Sequence, residues 1–334
     1  MNLMLKIALL ATTVVLSLPV QAQTLKIATV APEGSAWMKS MREGAEEIQQ
    51  RTGGRVSLKI YGGGVQGNDK QVQRKMRTGQ LHGGAFTSGA MSLFQQDADI
   101  YSLGMLFRDI DEVTHVRQQF DSILMDRLLE AGYVGFGFAG GGFAYMMSNV
   151  PLRTSSDMSG QKVWTPEGDA LAYAALEAFG VAPVSMPLTD VMTGLQTDLL
   201  NSVAVPPVGA VVLQWHTRLK YITDLPLAYV YAGILIERKA FEKLQAEDQV
   251  IVHEVLGKVY QSFDQTGNED NLAALQALQD SGLELVSPDL IEVDTWRKQV
   301  LDSQVDMGSK GEFDPALLQQ ILESLAAYRS QAGS

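Results

Sequence analysis

The chain has 334 residues, no cysteine and a formal net charge of −12. Without cysteine it has no disulfide framework, no thiolate zinc site and no thiol nucleophile. An acidic surface also disfavours nucleic acid and anionic lipid as partners. We therefore expect a globular protein with no nucleic-acid partner.

The first 22 residues are typical of a secretory signal peptide. Lys6 supplies a positive start, an apolar run covers 7–20, and Val20 and Ala22 fit the positions that a signal peptidase reads. A membrane anchor is the alternative, but a spanning helix needs about 20 apolar residues and this run is shorter. We expect cleavage after Ala22 and a periplasmic mature protein.

Strands and helices alternate along the rest of the chain. Two strand–turn–helix units open it, with strands at 25–30 and 55–61. Short strands are predicted at 85–87, 133–138 and 144–148. After Asn149 the alternation restarts, with strands at 162–165, 184–186 and 202–205 and helices at 170–179, 189–197 and 207–219. The last predicted elements are a strand at 233–236, an amphipathic helix at 246–281, a strand at 283–286 and two acidic helices.

This alternation predicts an α/β fold with a mostly parallel sheet. Because the roughly 310 residues after the signal exceed what one core usually holds, we expect two lobes. The first lobe takes 23–149 and about 233–270, and the second takes 150–232 and about 271–310, followed by a C-terminal helix at 311–334.

A glycine run at 62–67 satisfies the dinucleotide-binding pattern G-x-G-x-x-G. That fold also requires an acid at the end of the next strand, and the nearest acid downstream is Asp97. A tight turn beside a cleft is the better interpretation. The histidines lack metal-ligand spacing, and no G-x-S-x-G elbow is present, so we predict no metal, no cofactor and no catalytic residue.

Trp164 ends a short strand and is followed by a loop, 165–169, before a helix. This end of a strand is where open α/β sheets bind ligands. Trp215 lies on an apolar helical stripe, for which packing is the preferred interpretation and ligand contact the alternative.

Four segments resemble motifs of one family. The segment 157–166 (DMSGQKVWTP) is similar to the "DLKGLKIRVP" motif of DctP-type solute receptors of TRAP transporters. The segments 60–69, 178–187 (AFGVAPVSMP) and 190–197 (DVMTGLQT) resemble other motifs of these receptors, in the same order.

The resemblance implies a two-lobe periplasmic binding fold, type II-like, with an interlobe cleft and a long helix spanning both lobes. It also implies a non-enzymatic, cofactor-free receptor, which we expect to be a monomer. Such a receptor delivers a small molecule to sodium-coupled permease subunits in the membrane. The crossover strands place hinges near 147–150 and 229–233.

The chain departs from the family pattern at its carboxylate clamp. Most members have an Arg where this chain has Trp164, and an Asn where it has Val205. The second basic position of the family falls near Phe143, Ala144 and Tyr145. This chain therefore resembles a branch with Trp in place of the Arg.

Carrying over the pocket positions predicts a mostly apolar site. The predicted ligand-binding residues are Val30, Asn68, Ser88, Phe143, Ala144, Tyr145, Trp164, Glu167, Leu188, Val205, Trp215 and Ala232. Without an Arg, a buried carboxylate costs several kcal/mol, so we predict an apolar or amphipathic ligand. Glu167 leaves an amine-bearing ligand as the alternative. A receptor for a lipid-trafficking or sensory partner and a secreted enzyme on the same fold are the other hypotheses.

Overall fold

The computed structural model describes residues 22–332. The predicted signal peptide and its cleavage site lie almost wholly outside this range. Ten strands are present: β1 (Gln23–Thr29), β2 (Val56–Tyr61), β3 (Gly83–Thr87), β4 (Tyr133–Ser148), β5 (Val163–Pro166), β6 (Val184–Met186), β7 (Ser202–Val205), β8 (Tyr221–Thr223), β9 (Ala228–Glu237) and β10 (Glu284–Val286).

Twelve α-helices surround these strands in the described range. They are α1 (Ala36–Arg51), α2 (Asp69–Arg77), α3 (Ser88–Met91), α4 (Ile110–Glu130), α5 (Ser155–Met158), α6 (Ala170–Ala178), α7 (Val191–Gln196), α8 (Pro207–Val212), α9 (Arg238–Phe241), α10 (Ala246–Asp280), α11 (Leu290–Ser309) and α12 (Pro315–Ala332). The predicted mixed α/β fold is confirmed.

The strands form one sheet in the order β2-β1-β3-β9-β4-β7-β5-β6, with β8 and β10 attached beside β4. The outer strands pair in parallel: β1 with β2 and β3, and β5 with β6 and β7. The two long central strands, β4 and β9, are antiparallel to each other. We call the strands on the β1 side the first half of the sheet and those on the β7 side the second half.

Strand β4 connects the two halves. It pairs with β9 up to Ala144 and with β7 from Tyr145 onward. The prediction of two separate strands here was wrong, because the glycine-rich middle continues as extended backbone with register shifts. One shift lies between Gly140 and Gly142, where Gly142 adopts a φ of 86° that favours glycine.

Each half has its own hydrophobic core on both faces. In the first half, α1 and the start of α10 cover one face, and α4 and α12 cover the other. In the second half, the end of α10 packs with α7 and α8, while α6 packs on α11 around Trp296. Helix α10 therefore contributes to a core in both halves, with Tyr260 in the first and Leu278 in the second.

Two helix predictions need correction. The helix predicted at 189–197 begins as a 3-10 turn, Leu188–Asp190, before α7. The helix predicted at 207–219 ends as α8 at Val212, since Gln214 has a φ of 59° and breaks the helical path. A 3-10 turn, Trp215–Arg218, follows and directs Trp215 into the core.

Helix α4 was not predicted from the sequence. Asp109 caps it by accepting a hydrogen bond from the Glu112 amide. Its buried side chains follow three- and four-residue spacing, and they are Val113, Val116, Phe120, Leu124 and Leu128.

Candidate ligand-binding cavity

A cavity of about 340 Å³ lies between the two halves of the sheet. The first half contributes the starts of α2 and α3, and the second contributes the loop after β5 and one face each of α6 and α8. Strands β4 and β9 also line the cavity, at Gly141 and Ala144 and at Ala228, Val230 and Ala232. The cavity is therefore built from segments that are far apart in the chain.

Nine of the twelve predicted residues line this cavity. They are Val30, Asn68, Ser88, Ala144, Trp164, Glu167, Leu188, Val205 and Ala232. Their contact with a ligand stays a prediction. The structure does bring these nine side chains to one place, although they come from both halves of the chain.

Phe143, Tyr145 and Trp215 do not line the cavity. Successive side chains of a strand point to opposite faces, so the neighbours of the cavity-lining Ala144 point away. Phe143 packs on Tyr229 in the first half, with ring centroids 5.8 Å apart. Tyr145 and Trp215 pack in the core of the second half, where Trp215 is 1 % exposed.

Trp164 both packs in a core and lines the cavity. Its indole Nε1–H donates to the Met186 carbonyl at 3.0 Å, and its ring meets the edge of Trp215 at a centroid distance of 5.1 Å. These two contacts fix the ring in one orientation. The indole N–H is therefore occupied, and Trp164 presents the ligand with an apolar wall.

One wall of the cavity was missed in the sequence. Ala172, Ala175, Leu176 and Phe179 line it from α6 and its C-terminal cap. The spacing of three, one and three residues places these side chains on one face of a helix. This stripe was visible in the sequence, but its small residues are equally typical of a packed helix.

Polar contacts join the two halves at the cavity mouth. Asn68 caps α2, and its Nδ2 donates to Glu167 Oε2 at 2.9 Å. The Lys70 ammonium lies 3.6 Å from Glu167 Oε1, and both side chains are more than one-third exposed. Lys70 is the only basic side chain lining the cavity within the described residues. Its charge is thus neutralised at the mouth.

Two further acids line the cavity, Asp69 and Asp169. Burial, together with the nearby charge of Glu167, raises the pKa of Asp69 to about 6. Burial also raises the pKa of Asp169 to about 6, although the amides of Ala172 and Leu171 act in the opposite direction. Asp169 Oδ1 accepts from Ala172 N at 2.9 Å and caps α6. Neither acid forms an ion pair with a described residue.

The glycine run at 62–67 forms a tight turn beside the cavity mouth. The Gly63 amide donates to Ala31 O at 2.8 Å and the Gly64 amide to Thr29 O at 3.0 Å. A Cβ at Gly64 would lie 3.0 Å from the Thr189 methyl group of the other half. The amides that a nucleotide phosphate would need are therefore used inside the protein, as expected for a structural turn.

No group of three or more histidines and acids in residues 22–332 is arranged to hold a metal ion. Within the same range, every helix is too short or too polar to cross a bilayer.

Comparison with known proteins identifies a family and relatives that match this chain. The profile of "Bacterial extracellular solute-binding protein, family 7" matches residues 27–307. The chain is 23% identical over 276 residues to the C4-dicarboxylate-binding periplasmic protein DctP of Rhodobacter capsulatus, covering 81% of this chain and 83% of that protein. It is also 23% identical over 275 residues to the sialic acid-binding periplasmic protein SiaP of Vibrio cholerae, covering 80% and 84%.

Solved structures show the same architecture. The sugar acid binding protein of Advenella mimigardefordensis, in complex with galactonate, gives a TM-score of 0.83 at 16% identity and covers 92% of this chain and 99% of its own. A TRAP periplasmic solute binding protein of Haemophilus influenzae, with bound L-gulonate, gives 0.82 at 18% identity and covers 90% and 99%. The family and these relatives are solute-binding proteins, which confirms the prediction of a receptor that is not an enzyme. The chain belongs to the DctP family of TRAP-type periplasmic solute-binding proteins.

Proposed function

We propose that this chain is a periplasmic receptor that binds a small apolar or amphipathic molecule and delivers it to a sodium-coupled TRAP permease. The lining of the cavity is the observation that supports this class of ligand. Its one basic side chain, Lys70, is already paired with Glu167 at the mouth, and Trp164 stands where the resemblance implies an Arg.

An organic acid is a poor fit to this lining. The relatives described above bind acids such as galactonate and L-gulonate. A carboxylate in this cavity would meet Asp69, Glu167 and Asp169 without a free cation. Desolvating it without such a partner costs several kcal/mol.

An apolar body is a good fit. A volume of about 340 Å³ exceeds the roughly 150 Å³ that accommodates benzene in an engineered protein cavity. The cavity therefore has room for a solute of one or two rings. Burying about 200 Å² of apolar surface would contribute about 5 kcal/mol before the entropy cost of association.

We propose further that 23–149 with about 233–270 and 150–232 with about 271–310 move as two lobes. Each of these parts contains a core of its own, and β4, β9 and α10 connect them. Hinges near 147–150 and 229–233 would let the cavity open. The same proposal takes residues 1–22 as a signal peptide, which N-terminal sequencing of the secreted protein tests.

Calorimetry on the mature protein tests the ligand class. The panel contains small organic acids, fatty acids and apolar amines, and Trp164→Phe is compared with Trp215→Phe. Both variants alter a buried indole, but only Trp164 lines the cavity. We expect Trp164→Phe to weaken binding of the best ligand more than Trp215→Phe does, because Trp215 acts on the cavity only through its contact with Trp164. Tight binding of a C4-dicarboxylate or sialic acid to the unaltered protein would contradict the proposal.

Transport is tested separately with proteoliposomes that contain a sodium-coupled TRAP permease from the same organism. Uptake of the identified ligand should require both the receptor and an inward sodium gradient. Uptake that is equally fast without the receptor would contradict the transport role and leave ligand binding unaffected.

A further inference from the structure

Three polar side chains line the mostly apolar cavity without a charged partner among the described residues. Ser88 is 2 % exposed, and its hydroxyl has no hydrogen-bond partner within residues 22–332. Asp169 is 9 % exposed and Asp69 is partly buried, and neither carboxylate meets a cation of the described chain. Asp169 Oδ1 accepts from the Ala172 amide, but a buried carboxylate that no cation balances is costly, so Asp169 indicates where a ligand supplies a positive charge.

Gly89 lets Asp169 approach Ser88 across the boundary between the halves. A Cβ at Gly89 would lie 2.1 Å from Asp169 Oδ2, so any side chain there would displace the carboxylate. The carboxylate therefore lies against the backbone next to Ser88. On the neighbouring helix α2, Asp69 also lines the cavity, and it lies close enough to Glu167 for their charges to repel.

The charge of this region is negative and uncompensated. At neutral pH the pKa values of about 6 leave both Asp69 and Asp169 largely ionised. The ammonium group of Lys70, the basic side chain that lines the cavity, pairs with Glu167 and not with either aspartate. An ammonium group offers up to three N–H donors and one positive charge, which complements the Asp169 carboxylate and the Ser88 hydroxyl.

We propose that the solute is an amine, whose ammonium group binds beside Asp169 and Ser88 while its apolar body fills the rest of the cavity. This inference rests on the proposed function and specifies its substrate class. Asp169 would then decide specificity, and Trp164 would bound the apolar part of the site.

Three probes with the same ring test the charge of the polar end: phenethylamine, phenethyl alcohol and hydrocinnamate. Calorimetry on the mature protein should give an affinity for the amine that is about tenfold or more above that for the alcohol, with the acid weakest. Equal affinity for the amine and the alcohol overturns the amine assignment but leaves the apolar cavity in place. If all three fail to bind and galactonate binds, both the amine assignment and the proposed function are wrong.

Isosteric variants test the named residues. Asp169→Asn keeps a side chain that can cap α6, and Asp69→Asn keeps the shape of the α2 start. Asp169→Asn should weaken phenethylamine about tenfold and change phenethyl alcohol by less than about twofold, whereas Asp69→Asn should have the smaller effect on phenethylamine. Asp302→Asn, at an exposed acid of α11 away from the cavity, is the control and should change neither. Urea unfolding verifies that each variant is folded. Equal weakening of both probes in Asp169→Asn would overturn the inference.

Discussion

Replacing Asn271 by Ala is expected to loosen the cavity wall from the long helix. Asn271 lies on α10 and is 8 % exposed. Its Nδ2 donates to Gly141 O and to Gly267 O, both at 2.7 Å, and its Oδ1 accepts from Val208 N at 3.2 Å. Gly141 lies at the register shift of β4, and Val208 lies in the first turn of α8. One amide thus joins the connecting helix to both parts of the wall.

The expected loss follows from the groups left without partners. Helix α8 has Pro206 at its N-cap position, and proline provides no side-chain cap. The Val208 amide donates to Asn271 Oδ1 instead. The Gly141 carbonyl loses its Nδ2 donor as well. Each buried group without a partner costs about 1–3 kcal/mol, and the better helix propensity of Ala returns about 0.6 kcal/mol. We expect a net loss of about 2–4 kcal/mol in the free energy of unfolding.

Urea unfolding measures this loss, with Asn268→Ala as the matched control. Asn268 is exposed on the same helix, and the described residues give its side chain no hydrogen bond. The propensity gain is the same at both positions, so the difference between the variants isolates the three hydrogen bonds. Equal unfolding free energies in the two variants would refute the reasoning. If Asn271→Ala is less stable but binds phenethyl alcohol unchanged, the amide stabilises the fold without positioning the cavity.

Two further predictions concern buried charges. Burial raises the pKa of Asp169 from 3.8 to about 6, so the folded state binds this proton more tightly than the unfolded chain, and stability falls as the pH rises from about 4 to 6. In Asp169→Asn, the free energy of unfolding, measured with urea, should depend less on pH between about 4 and 6. At neutral pH this variant should be more stable than the unaltered protein by on the order of 2–3 kcal/mol. An unchanged pH profile would contradict the prediction. The Arg117 side chain is 11 % exposed and forms an ion pair with Asp264. Arg117→Gln should lower the free energy of unfolding by about 3–5 kcal/mol, whereas Arg238→Gln, in an exposed ion pair, should lower it by less than about 1 kcal/mol. Similar thermal shifts in these two variants would contradict that difference.

The sequence predicted the elements better than the direction of their side chains. Helix α10 was predicted at 246–281 and observed at Ala246–Asp280, because a long amphipathic pattern is a strong signal. The resemblance placed the middle of β4 near the cavity, but it did not show which side chains of the strand face the cavity. Phe143 and Tyr145 were therefore predicted together with Ala144. Alternation along a strand allows only one of two neighbours to face the cavity.

Of the three acids that line the cavity, Glu167 was predicted from the sequence, but the other two could not be, for a different reason. Asp69 and Asp169 are 100 positions apart in the chain, and each follows a loop at the start of a helix, where an acid is ordinary. Their common environment exists only after the two halves meet. Asn271 is hidden in the same way, since its partners Gly141 and Val208 come from two other segments.

In the proposed two-lobe receptor, two opposing contributions would set the free energy of closing around the cavity. The contacts across the mouth, from Asn68 and Lys70 to Glu167, are exposed, and such contacts stabilise a protein by less than about 1 kcal/mol each. The raised pKa values of Asp69 and Asp169 show that enclosing these carboxylates without a cation is unfavourable. Closure without a solute would therefore be only weakly favoured, and a solute that neutralises the acids would remove this cost. A ligand shifts an equilibrium by its difference in affinity between the two states, and here an ammonium group would gain most of that difference in the closed state.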